Sequence, residues 1–240
     1  GLGPVGPAQL GLDQPALHSA QLAALVFDDF AWLIVVLGFI QTAWPLKRAP
    51  APLQGAPQSW PTVDVFIPTY NEPLSVVRPT VLAAMALDWP ADRFKVYLLD
   101  DGRREEFRAF AAEVGVQYII RPDNHHAKAG NLNHALQKTD GELVAIFDCD
   151  HLPTRSFLKT AVGWFQRDPK CAMLQTPHHF FSPDPFERNL GTFRRVPNEG
   201  ALFYGLIQDG NDFWNATFFC GSCAVIRREP LMEVGGIAVE

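Results

Sequence analysis

Charge is what this sequence has least of. Only 19% of its 240 residues are charged, and 26 acidic residues outnumber 20 basic ones for a net charge of −6. No basic stripe and no run of like charges occurs, which excludes the electrostatic footprint of a nucleic-acid binder. Cysteine is also scarce, at Cys149, Cys171, Cys220 and Cys223. Cys220 and Cys223 form a C-x-x-C, but no second pair and no neighbouring His pair completes a zinc site in the sequence. A thioredoxin-like motif would open a helix after a strand, which Phe218-Phe-Cys-Gly-Ser-Cys-Ala-Val-Ile226 does not suggest. Free thiols in a reducing compartment are expected. Two phosphate-binding fingerprints are missing as well: neither G-x-G-x-x-G nor G-x-x-x-x-G-K-[ST] occurs. A nucleotide held here would be held by acidic residues and a cation rather than by a glycine cradle. The chain does not begin with Met and is read as a piece of a longer protein.

Hydrophobic residues make up 48% of the chain, enough for a substantial core. They are unevenly placed. Residues 1–21 are rich in Gly, Pro and Ala and are expected to be irregular. Residues 22–46 read as one transmembrane helix: 30–40 carry no charge, and an aromatic end follows at Trp44. Twenty-three helical residues from 22 to 44 reach about 35 Å, against a hydrocarbon core of about 30 Å. Asp28 and Asp29 oppose this, at about 3 kcal/mol each if central. Neighbouring helices would have to shelter them. Lys47 and Arg48 follow at once and put the next segment on the cytoplasmic side. Residues 47–61 form a Pro-rich linker at the membrane surface, and 62–240 form a second domain, itself partial.

From residue 63 onward strands and helices alternate. Strands are expected at 63–68, 95–99, 116–120, 143–147 and 171–175, with helices at 74–87, 105–114, 129–137 and 155–165. This order predicts an α/β fold, a parallel sheet with helices on both faces. Ligands bind such sheets beyond the carboxyl ends of the strands. Tyr70-Asn-Glu72 follows the first strand, Asp100-Asp-Gly102 the second and Asp148-Cys-Asp150 the fourth. Three polar clusters therefore share one edge. Residues two apart in an extended chain point to the same side, so Asp148 and Asp150 can aim both carboxylates at one hard cation. Alone, D-x-D is equally an acidic turn. Lys128 is a point-charge phosphate ligand or a solvated lysine. Residues 194–208 are an amphipathic helix on the membrane or a helix packed on the sheet edge. Trp214 is a sugar platform or a buried ring.

Four stretches carry a family resemblance: Pro68-Thr-Tyr-Asn-Glu72, Leu99-Asp-Asp-Gly102, His126-Ala-Lys-Ala-Gly-Asn-Leu-Asn133 and Asp148-Cys-Asp-His151. They resemble the opening motifs of processive family 2 glycosyltransferases. Gln41-Thr-Ala-Trp-Pro-Leu46, Gln175-Thr-Pro-His-His-Phe180, Pro183-Asp-Pro-Phe186 and Phe218-Phe-Cys-Gly-Ser222 are similar to stretches of bacterial cellulose synthase catalytic subunits. The resemblance implies a GT-A domain on the cytosolic side of the bacterial inner membrane. It implies inverting transfer of glucose from UDP-glucose to the non-reducing end of a growing β-1,4-glucan. Tyr70 and Glu72 then contact the uracil end of the donor, Asp100 and Asp101 the nucleotide, and Lys128 the diphosphate. Asp148 and Asp150 hold Mg2+ or Mn2+, and Phe218, Phe219, Cys220, Gly221 and Ser222 line the acceptor end. By the same resemblance the general base sits in a T-E-D motif beyond this chain, as does Q-x-x-R-W. A periplasmic partner and cyclic-di-GMP control are implied only by analogy. The competing readings are a mannan, chitin or hyaluronan synthase, a non-processive family 2 transferase, and a non-catalytic UDP-binding remnant.

Overall fold

The computed structural model describes residues 14–239, with side chains from residue 24 onward. The chain divides into two compact units, Gly1–Leu46 with Ala201–Ala216, and Lys47–Gly200 with Thr217–Glu240.

The first unit is built on helix α1, Gln14–Thr42. The helix begins earlier than the residue 22 expected, because Ala, Leu and Gln dominate residues 14–25 and are good helix formers. Residues 1–13 of the expected irregular segment lie outside the described residues. No residue of the apolar stretch Ala24–Thr42 is buried within the protein. The segment 201–216, expected within the 62–240 domain, groups with α1 in this unit. Its first part is no single amphipathic helix. It runs as a short helical turn at Glu199–Leu202, a π-turn at Phe203–Ile207 and a helix at Gln208–Phe213. Gly210 makes the docking possible: a Cβ there would meet the Gln41 carbonyl oxygen at 2.4 Å. Around it Gln41 Nε2 donates to Asn211 Oδ1 at 2.5 Å and the Leu46 amide to the Asp209 carbonyl at 2.8 Å. Trp44 stacks on Phe213 and meets Trp214 edge-on, while Trp214 Nε1 donates to the Ile40 carbonyl. Trp214 is thus half-buried in an aromatic cluster.

The second unit is a six-stranded sheet. The strands are β1 Val63–Thr69, β2 Phe94–Asp100, β3 Gln117–Ile119, β4 Leu143–Ile146, β5 Met173–Gln175 and β6 Ala224–Arg227, in spatial order β3-β2-β1-β4-β6-β5. The first four run parallel. All seven residues of β1 are buried, as expected for a parallel strand covered on both faces. Val65 and Ile67 point to one core with helices α2 Leu74–Met85, α3 Glu105–Val114 and α5 Phe157–Arg167, where Val77, Val81, Phe107, Leu158 and Phe165 pack. Phe66 points to the other with α4 Ala127–Leu136, through Leu132 and Leu136.

The expected all-parallel sheet is broken at β6, which runs antiparallel to both β4 and β5. Nothing in the four residues Ala-Val-Ile-Arg marks their direction or their insertion between β4 and β5. The consequence is functional. An antiparallel strand begins where its neighbour ends, and Ala224 pairs with Ile146, the last residue of β4. Residues 221–223 are thereby delivered beside Asp148. Ala224 also pairs with Gln175, the last residue of β5.

Residues 47–61 belong to this unit and lie along α5. Trp164 Nε1 donates to the Ala49 carbonyl at 3.1 Å, and Gln54 and Gln166 exchange two hydrogen bonds. Ala51 is buried against Gly163, where a Cβ would come within 1.9 Å of the Ala51 carbonyl oxygen.

Candidate functional site

Strand order reverses between β1 and β4, so the crevice beyond their carboxyl ends is where an α/β sheet of this kind takes a ligand. Register sets which residues reach it. Thr69 lies opposite Asp100 and Phe66 opposite Ile146, so the chain following β1, β2 and β4 emerges at one edge. The three acidic clusters are brought there together.

Glu72 folds back on its own turn. Its Oε2 accepts from Thr69 Oγ1 and from the Tyr70 amide, both at 2.8 Å. Burial pushes this carboxyl up, but the Tyr70 and Glu72 amides, the Thr69 hydroxyl and the charge of Arg104 together outweigh it and hold it below its ordinary value. Glu72 is therefore a fixed anion, and the Tyr70 ring beside it stands half exposed.

The adjacent aspartates divide their work. Asp100 has no exposed surface. Its oxygens accept from the Gly102 and Arg104 amides, the Arg104 guanidinium and Tyr118 Oη. With its lone pairs engaged internally, Asp100 braces this turn. Arg104 extends that brace to the Glu72 carbonyl and to Thr69 Oγ1, tying the ends of β1 and β2 together. Asp101 is buried too, in a bidentate pair with Arg121, Nε to Oδ1 at 2.7 Å and Nη2 to Oδ2 at 2.6 Å. Arg121 also donates to the carbonyls of His125 and Ala127. It thereby holds a strained segment, since His126 and Ala127 both carry positive φ. Non-glycine residues seldom do so, and such strain gathers at functional sites. The next residue is Lys128.

Lys128 reaches across the edge. Its Nζ sits against the Asp148 carboxylate and donates to the Gly221 carbonyl at 2.6 Å. The Asp148 amide donates to Ser222 Oγ at 2.8 Å. Asp150 projects further into solvent. Between them His151 places Nδ1 3.9 Å from Asp148 and Nε2 4.0 Å from Asp150. Ligand atoms of Asp148, Asp150 and His151 all lie within 4.8 Å of one another. Two carboxylates and an imidazole at that spacing suit a hard divalent cation with Mg2+ or Mn2+ character. Cys149 turns inward between the carboxylates, and burial, with Glu72, Asp150 and Asp148 nearby, pushes its thiol up to about 12.

The 218–222 loop closes this side. Gln175 pins it, accepting from the Cys220 amide at 2.9 Å and donating to the Ser222 carbonyl at 2.8 Å. Gly221 adopts φ +86, and Ser222 is fully buried. Phe218 is half exposed, whereas Phe219 packs against the second core, so these two rings do not act alike. Sequence reasoning missed Arg104 and Arg121, which no motif marks. It also passed over His151, although that residue directly follows the aspartate pair.

A reversal in strand order, a carboxylate pair with its ammonium, and an acidic turn meet at one edge of this α/β domain. The family model described as Glycosyl transferase family 2 matches residues 64–235, and the chain belongs to that family. It is 68% identical over 213 residues to the cellulose synthase catalytic subunit (UDP-forming) of Pseudomonas fluorescens, covering 89% of this chain and 29% of that protein. To the subunit of the same name from Xanthomonas axonopodis pv. citri it is 68% identical over 219 residues, covering 91% of this chain and 30% of that one. The chain thus spans under a third of these relatives. A mannosyltransferase from Pyrobaculum calidifontis, solved with GDP-Man and Mn2+, shares the fold at TM-score 0.59 and 24% identity, over 86% of this chain and 55% of that one. The fold is GT-A.

Proposed function

We propose that this chain is the donor-binding part of a processive, inverting β-1,4-glucan synthase that uses UDP-glucose. One observation carries the reading: Lys128, Asp148 and Asp150 converge at the switch edge of a family 2 domain. The two relatives at 68% identity are UDP-forming cellulose synthase catalytic subunits, which supports glucose as the sugar and UDP as the product.

Asp148 and Asp150, with His151 beside them, would hold Mg2+ or Mn2+. Such an ion stabilises the charge that grows on a departing diphosphate. Lys128 donates to the phosphate oxygens as a point charge, exchanging its contact with Asp148 for them. Tyr70 and the fixed anion Glu72 border the base and ribose, and a carboxylate suits their N–H and O–H donors. Asp101 acts through Arg121 by setting the Lys128 segment. Phe218 and the 220–222 backbone border the acceptor end. The base that takes the acceptor hydroxyl proton is assigned to the portion of the relatives that this chain does not span.

The exposed apolar stretch Ala24–Thr42 supports a membrane span. Its 19 residues reach about 28 Å as a helix, close to a hydrocarbon thickness of about 30 Å. Lys47 and Arg48, shortly after it, support a cytoplasmic side for the segment that follows, at a bacterial inner membrane. The complete protein in membrane vesicles tests the assignment. It should form β-1,4-glucan from UDP-glucose and lose this in Asp150→Ala. Preferred turnover of UDP-N-acetylglucosamine would overturn glucose as the donor sugar.

A further inference from the structure

The C-x-x-C of this sequence has no histidine partner in the linear chain, but the fold supplies two. His151 follows β4, His178 follows β5, and Cys223 precedes β6. Because β6 starts where β4 and β5 end, all three arrive at one place. Their ligand atoms lie within 4.8 Å of one another. Cys223 Sγ is 3.7 Å from His151 Nδ1. The two imidazoles meet edge to face, centroids 4.8 Å apart at 63°. Cys223 is held at φ +53, an uncommon backbone for a residue with a side chain.

These distances are near those of a zinc site. Zn–N of about 2.1 Å and Zn–S of about 2.3 Å in tetrahedral geometry put ligand atoms roughly 3.4–3.6 Å apart. The His151–Cys223 pair is already there, and the widest pair needs to close by roughly 1 Å, within reach of side-chain rotation. The donors are also of a different kind from the carboxylates beside them. Imidazole and thiolate suit zinc, whereas carboxylate oxygens suit Mg2+ and Mn2+. Two donor sets of unlike hardness thus abut and share His151.

We propose that His151, His178 and Cys223 form a binding site for a soft divalent cation of the Zn2+ class, adjoining the hard-cation site at Asp148 and Asp150 and sharing His151 with it. The fourth position is left to water or to Asp148, whose Oδ2 lies 3.9 Å from His151 Nδ1. Occupancy draws His151 away from its contact with Ser222 Oγ, at 2.8 Å, and from the carboxylate pair. A soft metal therefore disturbs the loop that borders the acceptor end.

Co2+ reports the site without any nucleotide sugar, so the outcome is independent of the donor assignment. Titrated into the whole chain in detergent, Co2+ should give a thiolate charge-transfer band in the near ultraviolet that one equivalent of Zn2+ removes. Cys223→Ser should abolish the band, and His178→Asn should weaken Co2+ binding by at least about tenfold. Asp150→Asn should leave both unchanged. In the unsubstituted chain, Zn2+ should slow alkylation of Cys223 while Cys171 reacts as before, a readout that needs no variant to fold. A missing band, a band that survives Cys223→Ser, or Cys223 alkylation at the same rate with and without Zn2+ would overturn the proposal.

Discussion

Replacing Arg121 by Met removes a buried guanidinium that makes four hydrogen bonds, two to Asp101 and one each to the carbonyls of His125 and Ala127. Arg121 is only 5% exposed and Asp101 only 4%, so water cannot take over the lost partners. The Asp101 carboxylate is left buried without a counter-charge, which typically costs about 3–5 kcal/mol. Arg121→Lys keeps the charge but loses the planar fork, and about two net hydrogen bonds correspond to about 2 kcal/mol. Arg121→Met with Asp101→Asn removes the stranded charge and should recover part of the loss. The pair is therefore expected to be strongly non-additive. Urea unfolding followed by far-ultraviolet circular dichroism measures each term. The same variants report on the Lys128 segment. Losing one charge-assisted hydrogen bond of about 1.5–3 kcal/mol weakens UDP binding about tenfold to a hundredfold. Arg121→Met costing under about 1 kcal/mol, with UDP affinity unchanged, would refute the view that this pair sets the site.

Two further outcomes follow from packing. Gly163→Ala should destabilise the catalytic unit by about 1–3 kcal/mol, despite the helix-propensity gain of about 1 kcal/mol. The new methyl would strike the Ala51 carbonyl, and a thermal melt showing stabilisation would mean that residues 47–61 do not lie on α5. Cys149, with its thiol pushed up to about 12 by burial and three carboxylates, should alkylate far more slowly at pH 8 than Cys220, by mass-spectrometric labelling. Equal rates would show that Cys149 does not turn inward.

The parallel half of the sheet was legible because it repeats one pattern. β1, β2 and β4 are short, largely apolar runs with acids at or just beyond their carboxyl ends, and their order alone placed Tyr70, Glu72, Asp148 and Asp150 at one edge. What stayed hidden depends on contacts distant in sequence. Asp100 and Asp101 look interchangeable as letters, yet Asp100 is saturated by its own turn while Asp101 answers an arginine 20 residues away. The four-residue β6 is too short to announce its direction. Missing it also hid why the 220–223 loop, held by Gln175 and His178, meets Asp148. The early start of α1 rests on helix propensity, which a search for apolar length overlooks.

Metal-dependent UDP binding tests the central claim most directly. Calorimetry of the whole chain in detergent should show UDP binding that requires Mg2+ or Mn2+. Asp150→Ala should lose the metal-dependent part, and Lys128→Ala should lower affinity while keeping the metal requirement. Equal UDP affinity with the divalent ions chelated, or an Asp150→Ala chain that binds like the unsubstituted one, would contradict the account.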